Sequence, residues 1–359
     1  MKRVTGKDVA ARAGVTAATV SYVLSGSDKV SVSDATRQRV LEAARELGYV
    51  PDMAAKSLRR RESKTIGVAI EKNLATPRYA WALQGMVQAA ARLGYHITIC
   101  RDRMADNGMM EYLSMYYERL VDGVVFVGTD NVGPDAETIA RVERDRIPFV
   151  ALDCQLDEAS FGTVDFDYRG GAYAVTEYLL KRKACRVAYI RPEVDTAQER
   201  LREEGVRAAC ADLGAPEPFV GYVPIGRATL ASYDADRPAQ GAATQSGTTA
   251  DITRTDYSRL AYMVHASLAD EVRDGDLIIC SWAGWSGIMR QVSGYLLSLF
   301  GDLASSTSSA FSADAYAVMP NYEAGEACVT QLVGQIGGRP PEATVLPLRC
   351  QPSEFLREF

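Results

Sequence analysis

The stretch VTGKDVAARAGVTAATVSYVL, residues 4–24, decides the architecture of the N-terminal part of the chain. Thr5 followed by Asp8 fits a capping box, which predicts a helix that ends at Gly14. Thr16 can cap a second helix, which runs to about Leu24. Two short helices therefore follow each other across a tight turn.

The spacing of three residues in this stretch is typical of a helix-turn-helix. Such a motif needs a small residue where the helices cross, a glycine in the turn and an apolar residue that buries the second helix. Ala10, Gly14 and Val20 supply these in order. After Ser33, a third helix is predicted by Val40, Ala44 and Leu47, which fall three or four residues apart until Gly48.

The charge of the chain is divided unevenly between its two ends. The 359 residues carry a formal net charge of -6, yet residues 1–61 hold twelve Lys and Arg against six Asp and Glu. The first 61 residues are therefore at +6 and the remainder at -12. A basic N-terminal head suits a nucleic-acid partner, which the overall acidity would otherwise argue against.

From Lys64 onward, short apolar runs alternate with longer amphipathic stretches, which predicts a doubly wound α/β body with parallel sheets. Ligands of such sheets bind beyond the carboxyl ends of the strands. The predicted strands are Ile66–Ile70, Ile97–Cys100, Val124–Val127, Phe149–Leu152, Val187–Ile190, Leu277–Cys280 and Leu296–Phe300. The predicted helices are Tyr79–Leu93, Met109–Leu120, Asp135–Arg144, Arg169–Leu180, Gln198–Leu213, Tyr257–Glu271 and Ser286–Val292.

Residues 4–24, followed by SVSDATRQRVLEAARELGYVPDMAAKSLRRRES (31–63) and TIGVAI (65–70), closely resemble the lactose-repressor (LacI/GalR) family. The likeness is nearly continuous over residues 3–70 and continues more weakly through most of the chain. It implies an all-helical helix-turn-helix head at 1–50 and a hinge helix with linker at 51–63. It also implies a two-lobed, periplasmic-binding-protein-like body at 64–359 that binds an effector and forms the dimer.

The resemblance implies that the second helix lies in the major groove of DNA. The residues matched to base-reading positions are Ala17 and Ala18, and Ser21 and Tyr22 follow on the same face. The two alanines would read bases by apolar contact with thymine methyl groups. Tyr22 stands where the family often has Arg or His, so a different base preference is expected there.

Three hydroxyl residues match phosphate-contacting positions of the family, namely Thr5, Thr19 and Ser33. Phosphate contacts set the register of a protein on DNA without reading its sequence. Each of these hydroxyls could equally be only a helix cap or a surface group.

The segment PDMAAKSLRRR, residues 51–61, matches the family's hinge helix. In the dimer this helix enters the minor groove, so Ala55 and Leu58 are expected to contact DNA, with Leu58 wedged between bases. The alternative is a leucine that covers a domain junction. The arginines that follow would face phosphate or form a solvated linker.

In the body, the resemblance implies an effector cleft between the two lobes. Arg78 and Tyr79 stand where the family has an Asn-Pro-aromatic-aromatic motif, although Arg78 departs from that pattern. Asp102 and Asp153 follow the second and fourth strands, at positions that contact a sugar hydroxyl or close a lobe interface. Arg202 matches a family arginine that binds effector oxygens, which suits its paired donors.

Later in the chain the cleft residues depart further from the family. The segment SWAGWSG replaces the usual Asn-Asp, so Trp282 and Trp285 would stack on a sugar ring or pack in the core. Asp302, in FGDLAS, is a further candidate ligand. Asp167 is expected to cap a helix rather than to bind effector.

Other functional classes lack their motifs in this sequence. There is no GxGxxG, GxxxxGK, HExxH or GxSxG, which argues against an enzyme, and no metal or cofactor is expected. The seven widely spaced cysteines indicate free thiols. A solute-binding transport protein would share the body, but the start MKRVTGKDVAARAG lacks a signal peptide and the head is basic. No apolar run of membrane-spanning length is present.

The expected protein is a cytoplasmic transcriptional repressor without enzymatic activity, which binds double-stranded DNA at a palindromic operator as a homodimer or tetramer. Its effector is expected to be a sugar or a sugar-derived metabolite. A body that responds to a protein, or to no effector, remains an alternative because the cleft residues are altered. Residues 227–256, rich in Ala, Thr, Ser, Asp and Gly, are expected to form a surface loop.

Overall fold

A computed structural model describes twelve segments of the chain and divides it into two compact units, Met1–Ser63 and Lys64–Phe359. The described residues are 4–25, 31–50, 62–71, 74, 76–101, 103–128, 133–156, 159–224, 271–282, 285–292, 297–305 and 313–353.

The first unit contains three described helices, each of which directly follows a serine or threonine. They are α1 (Gly6–Ala13), α2 (Ala17–Ser25) and α3 (Asp34–Glu46). At the start of α1, the Asp8 carboxylate accepts hydrogen bonds from the backbone N–H of Thr5 at 2.8 Å and from its hydroxyl at 2.7 Å. Gly14 ends this helix with φ of 66°, a left-handed conformation that glycine adopts without strain. The predicted caps and turn are confirmed.

Apolar side chains from all three helices form the core of the first unit. Val9 and Ala10 of α1, Val20 of α2 and Val40 of α3 are buried there. Without these contacts, helices of eight to thirteen residues would be marginal in water. The core therefore holds the helix-turn-helix that the sequence predicts.

The described residues of the second unit form two six-stranded sheets. The first has the order β11-β5-β4-β3-β1-β2 and is wholly parallel, and the second has the order β12-β10-β9-β8-β6-β7. In the second sheet only the pair of β10 with β12 is antiparallel. The strands are β1 (Thr65–Ala69), β2 (His96–Cys100), β3 (Gly123–Val127), β4 (Phe149–Leu152), β5 (Gly162–Asp167), β6 (Val187–Pro192), β7 (Phe219–Val223), β8 (Leu277–Cys280), β9 (Leu299–Ser305), β10 (Ala315–Val318), β11 (Ala343–Pro347) and β12 (Arg349–Pro352).

Seven described helices accompany these sheets. They are α4 (Pro77–Arg92), α5 (Glu111–Tyr117), α6 (Ala136–Asp145), α7 (Tyr168–Leu180), α8 (Ala197–Asp212), α9 (Trp285–Val292) and α10 (Asn321–Ile336). We call the first sheet with α4, α5, α6 and α10 the first lobe, and the second sheet with α7, α8 and α9 the second lobe. The chain passes between the lobes three times, after β5, after β10 and after β11. The predicted two-lobed α/β body is confirmed.

Helices α4 and α10 cross at two glycines in the first lobe. A Cβ atom on Gly85 would lie 2.0 Å from the carbonyl oxygen of Tyr322, and one on Gly325 would lie 1.9 Å from that of Ala82. No side chain fits at either point, so the backbones meet directly. This contact joins the helix after β1 to the last helix of the chain.

Several elements differ from the sequence prediction. The strands β5, β7, β10, β11 and β12 were not predicted, and β9 begins at Leu299 rather than at Leu296. Strands β7, β11 and β12 lie at sheet edges, and no residue of β11 or β12 is fully buried, so neither of these two has a continuous apolar run. The expected loop at 227–256 and the helix from Tyr257 fall outside the described residues.

All seven cysteines are free thiols, as the sequence predicts. Five are buried, and burial raises the pKa of Cys100 to about 11. None of the described helices combines the length and the apolarity that a membrane crossing requires.

Candidate functional site

Helix α2 has one buried and one exposed face. Val20 and Val23 fix it to the core of the first unit. The exposed residues on the other side are Ala17, Ala18 and Tyr22, and Tyr22 is 40% exposed to solvent. Since α2 contains no charged residue, its outer face offers methyl, hydroxyl and phenol groups only.

Ser21 and Thr19 flank this exposed face and are partly buried. Thr19 is engaged at the start of its helix, where its backbone N–H donates to the Thr16 hydroxyl at 3.1 Å. The two hydroxyl oxygens lie 2.9 Å apart. The predicted base-reading residues therefore share one surface, and Thr19 borders it.

The other predicted phosphate contacts also lie at helix N-termini. The Ser33 hydroxyl accepts from the backbone N–H of Thr36 at 3.3 Å and so caps α3, while Thr5 is the N-cap residue of α1. Both residues are exposed. Helix N-termini present unpaired N–H groups and a positive dipole end, which favour phosphate. Ala55 and Leu58 lie outside the described residues.

In the second unit, predicted cleft residues meet in a polar cluster that joins the two lobes. Asp153 follows β4 in a left-handed turn with φ of 58°. Its carboxylate accepts from the guanidinium of Arg78, on α4, and from the hydroxyl of Tyr168 at 2.8 Å. Arg78 also donates to the Tyr168 hydroxyl at 3.3 Å. Because Tyr168 begins α7, it connects these first-lobe residues to the second lobe.

In the second lobe, Glu199 accepts hydrogen bonds from three side chains of this cluster. Its carboxylate accepts from Arg202 at 2.6 Å, from the Ser281 hydroxyl at 2.5 Å and from the indole N–H of Trp282 at 2.9 Å. Glu199 is 1% exposed and Arg202 is 3% exposed, so their charges are held away from water. Further hydrogen bonds to such a pair, like those from Ser281 and Trp282, offset part of the cost of removing its charges from water.

Two further contacts complete the cluster, the first within the second lobe and the second between the lobes. The Arg202 guanidinium carbon lies 4.3 Å from the centroid of the Tyr168 ring. The side-chain amide of Gln198 donates to the backbone oxygen of Asp153 at 3.3 Å. We call Arg78, Asp153, Tyr168, Gln198, Glu199, Arg202, Ser281 and Trp282 the cleft cluster.

Burial and neighbouring charges shift the pKa values of Arg78 and Tyr168 in the cleft cluster. Burial lowers the pKa of Arg78, but the Asp153 carboxylate and Tyr168 outweigh it, so the pKa is raised overall. Burial raises the pKa of Tyr168, which keeps the phenol protonated and able to donate. Next to Asp153, burial raises the pKa of Asp165 to about 6, although the backbone N–H of Gln155 donates to it at 2.9 Å.

Other predicted cleft residues lie near the cluster or outside it. Tyr79 is partly buried, with its ring centroid 5.6 Å from the Arg78 guanidinium carbon. Trp285 is 2% exposed within a core cluster, so its ring has no open face. Asp302 is buried and accepts from the backbone N–H of Ser286 at 3.4 Å. Asp102 lies outside the described residues.

Asp167 accepts from the backbone N–H of Gly170 at 2.7 Å, which confirms it as the cap of α7.

Sequence reasoning missed Tyr168, Gln198, Glu199 and Ser281. Glu199 precedes Arg202 by three residues, a spacing that places both on one face of a helix and could have indicated the pair. Ser281 directly precedes the predicted Trp282. Nothing local in the sequence distinguishes Tyr168 from other aromatic residues.

Two atoms of the cleft cluster are buried without a hydrogen-bond partner, the side-chain oxygen of Gln198 and Nε of Arg202. Buried polar atoms are nearly always paired in proteins, so such atoms call for an explanation. Within the described segments, no group of three or more His, Cys, Asp or Glu could hold a metal ion.

Two family models match the chain, one in each unit. The model of the lacI family of bacterial regulatory proteins matches residues 5–52. The model of periplasmic binding proteins and the sugar binding domain of the LacI family matches residues 63–246, which is half of the chain.

Individual relatives agree with these matches. The ribose operon repressor of Escherichia coli (strain K12) is 33% identical over 218 residues, which cover 60% of this chain and 64% of that protein. The maltose regulon regulatory protein MalI of the same organism is 30% identical over 215 residues, which cover 60% and 61%. The chain therefore spans less than two thirds of the length of these relatives.

Solved structures share the fold along nearly the whole chain. The lac repressor dimer bound to operator and the anti-inducer ONPF matches with a TM-score of 0.71 and 19% identity, covering 98% of this chain and 99% of that one. The complex of the transcriptional regulator CelR with cellobiose matches with a TM-score of 0.59 and 22% identity over the same shares. The helix-turn-helix, the two parallel-dominated lobes and both model matches agree, and the chain belongs to the LacI family of bacterial regulatory proteins.

Proposed function

We propose that the chain is a transcriptional repressor that binds DNA with its first unit and a small effector with its second. The proposal depends mainly on helix α2. One face of this helix packs in the core of the first unit, the opposite face is exposed and uncharged, and the surrounding segment is basic. An α-helix of this kind fits the major groove, where methyl and hydroxyl groups can read base edges. The relatives named as the ribose operon repressor and the maltose regulon regulatory protein support this function.

On DNA, Ala17, Ala18, Ser21 and Tyr22 would face base edges. Thr5, Thr19 and Ser33 would hold phosphates from three helix N-termini, which sets the register of the protein on the duplex. Ala55 and Leu58 would enter the minor groove from the hinge segment. Two copies of the chain would bind the two halves of a palindromic operator, because a symmetric dimer matches a symmetric site. A regulator of this kind works on the chromosome, so we propose the bacterial cytoplasm as its place of action.

The cleft cluster is the proposed effector site. It contains four residues that were predicted for this role, namely Arg78, Asp153, Arg202 and Trp282, with Tyr79 at its edge. Carboxylates, arginines and an indole ring are the groups that bind sugar hydroxyls and the apolar face of a sugar ring. The CelR structure, which holds cellobiose, and the ribose operon repressor favour a sugar or sugar-derived effector.

The effector would control DNA binding through the closure of the two lobes. Tyr168 and Gln198 link Asp153 of the first lobe to the second lobe, so a ligand that competes for Asp153 changes the contacts between the lobes. Free energy passes from the cleft to the operator only if the effector binds the two closure states with different affinities.

Selection of bound duplexes from a random pool would test the proposal. We expect the purified protein to enrich an inverted repeat and to bind it far more tightly than random duplex, with affinity that falls steeply as salt rises. Addition of sugars to the operator complex would then identify the effector by a change in affinity. Enrichment of no symmetric sequence would overturn DNA recognition. A ligand that binds the cleft without changing operator affinity would overturn effector control.

The main rival is a solute-binding or enzymatic role of the second unit alone. The match of residues 5–52 to the regulatory-protein model disfavours both, because neither class needs a helix-turn-helix. A regulator whose second unit responds to a protein would bind the same operator but would ignore every small ligand in the test above.

A further inference from the structure

Both arginines of the cleft cluster have a carboxylate of their own. Arg78 pairs with Asp153, and Arg202 pairs with Glu199. A third buried arginine beside them, Arg191, pairs with Glu203 at 2.7 Å. The positive charges that an anionic ligand would seek are therefore already neutralised by the protein.

The two unpartnered atoms of the cluster require opposite hydrogen-bonding groups. The side-chain oxygen of Gln198 needs a donor, whereas Nε of Arg202 needs an acceptor. The orientation of the Gln198 amide is fixed, because its nitrogen donates to the backbone oxygen of Asp153. The two residues are four apart on α8, so their side chains start from the same helix face.

A hydroxyl group satisfies both requirements, since it donates one hydrogen bond and accepts others. An ionised carboxylate accepts only, so it would serve Arg202 and leave Gln198 unpaired. Neighbouring hydroxyl groups on one ligand would serve both residues at once. The open hydrogen-bonding atoms and the balanced charges thus favour the same kind of ligand.

We infer that the Arg78–Asp153 pair determines the charge of the effector, so that the cleft takes an uncharged ligand with neighbouring hydroxyl groups and excludes carboxylates and phosphates. The inference rests on the proposed function, which assigns the effector to the cleft cluster. Its physical reason lies in Asp153. An anion that approaches Arg78 meets this carboxylate as a like charge, and the repulsion is weakly screened because Asp153 is only 5% exposed.

The neutral variant Asp153→Asn should reverse this selection. It leaves Arg78 without a compensating charge. The site remains partly open to solvent, since 20% of the Arg78 side-chain surface is exposed. An uncompensated guanidinium group binds oxyanions through paired hydrogen bonds. The double variant Asp153→Asn/Arg78→Met removes the guanidinium as well and is the matched control.

Inorganic phosphate, titrated at constant ionic strength and followed by calorimetry, tests the exclusion of anions. We expect the full-length Asp153→Asn protein to bind phosphate at least about tenfold more tightly than the unaltered chain does. The double variant should lose that gain. Equal phosphate affinity in the unaltered chain and in Asp153→Asn would overturn the inference, as would a gain that survives in the double variant.

Matched pairs of sugars test the preference for an uncharged ligand. The panel would contain D-ribose with ribose 5-phosphate, D-glucose with glucuronate, and cellobiose with cellobionate. Any pair that binds the unaltered chain should bind through its uncharged member, and Asp153→Asn should shift the ratio toward the anion. Tighter binding of an anionic member to the unaltered chain overturns the inference. These measurements on the unaltered chain remain decisive if a variant does not fold.

The failure of the inference can be told apart from the failure of the proposed function. If the proposed function is wrong, the operator assays will show it. The protein will then select no symmetric site, or no bound ligand will change its operator affinity. The phosphate comparison needs neither an operator nor a known effector, so it judges the role of Asp153 by itself.

Discussion

The guanidinium group of Arg202 lies over the ring of Tyr168, with 4.3 Å between the guanidinium carbon and the ring centroid. The same tyrosine donates its hydroxyl hydrogen to Asp153 at 2.8 Å. One side chain thus contacts a cation of the second lobe with its ring and an anion of the first lobe with its hydroxyl group.

The two contacts of Tyr168 can be separated by substitution. Tyr168→Phe keeps the ring and removes the hydroxyl, and we expect it to lower the free energy of unfolding by about 2 kcal/mol, the cost of a hydrogen bond to a charged group. Tyr168→Ala also removes the buried ring and should cost roughly 3–5 kcal/mol. Urea unfolding followed by circular dichroism measures both. Equal losses would mean that the ring contributes nothing beyond the hydroxyl.

Because α4 and α10 cross so closely, adding a single methyl group at the crossing should lower the free energy of unfolding substantially. Gly325→Ala would force a Cβ atom to within 1.9 Å of the Ala82 carbonyl oxygen, and we expect a destabilisation of at least about 2 kcal/mol from overpacking. Gly334→Ala, in the same helix, is the matched control. Its Cβ would meet only the flexible Arg339 side chain at 3.3 Å, so the better helix propensity of alanine should stabilise by ~0.5 kcal/mol. Thermal unfolding of both variants checks the contrast, and similar Tm values would contradict it.

Asp165 predicts a pH dependence of stability with an unusual sign. Its pKa is raised by burial from 3.8 to about 6, so between these values the folded state holds a proton that the unfolded state has lost. Stability from this group therefore falls as pH rises from about 4 to 6, by roughly 3 kcal/mol, and is constant above that range. Asp165→Asn keeps an acceptor for the N–H of Gln155 but cannot ionise.

The variant should therefore gain stability over the unaltered chain as pH rises, with little difference at pH ~4 and the full difference near pH 7. Carboxylates far from Asp165 titrate equally in both proteins, so their contributions cancel in this comparison. Asp153 is the exception, because its charge also raises the pKa of Asp165. Urea unfolding at several pH values measures the difference. A difference that is independent of pH would show that Asp165 titrates normally.

In the first unit, Tyr22→Ala should weaken binding to the selected operator about tenfold, or ~1.4 kcal/mol, because it removes one contact to a base edge. Binding to random duplex should change less. Leu41→Ala is a suitable control, since Leu41 is 45% exposed on α3 and lies outside the face formed by α2. Fluorescence anisotropy with labelled duplexes compares the three proteins. An equal effect of both substitutions on operator affinity would show that Tyr22 does not contact a base edge.

For the hinge segment, Leu58→Ala should weaken operator binding more than non-operator binding. A wedge between bases gains affinity only where the duplex is kinked, which random DNA permits less readily. The ratio of the two affinities is the measurement. Losses of the same size on both DNAs would mean that Leu58 inserts between no bases.

Much of this fold could be predicted from sequence because its signals are local. The caps at Thr5 and Ser33 and the turn at Gly14 each depend on neighbours within a few residues. Buried strands such as β3 read as continuous apolar runs. By contrast, β11 has no fully buried residue and pairs with β5, 180 residues earlier, so the neighbouring sequence gives no signal for it.

The candidate site was predictable only in part for a similar reason. Arg78, Asp153 and Arg202 stand at positions that the family resemblance marks. Glu199 and Tyr168 acquire their roles only when the two lobes bring them together. A carboxylate on a charged helix reads as a solvent-facing residue until its burial is known.

The pairing of β11 with β5 has a consequence for synthesis of the protein on the ribosome. The first sheet gains its last strand only when residues 343–347 have been made, whereas the three-helix head is complete by residue 46. The head can therefore acquire its fold while most of the chain is still untranslated. The sheet that begins at Thr65 must wait, with one edge unpaired, until translation is nearly finished.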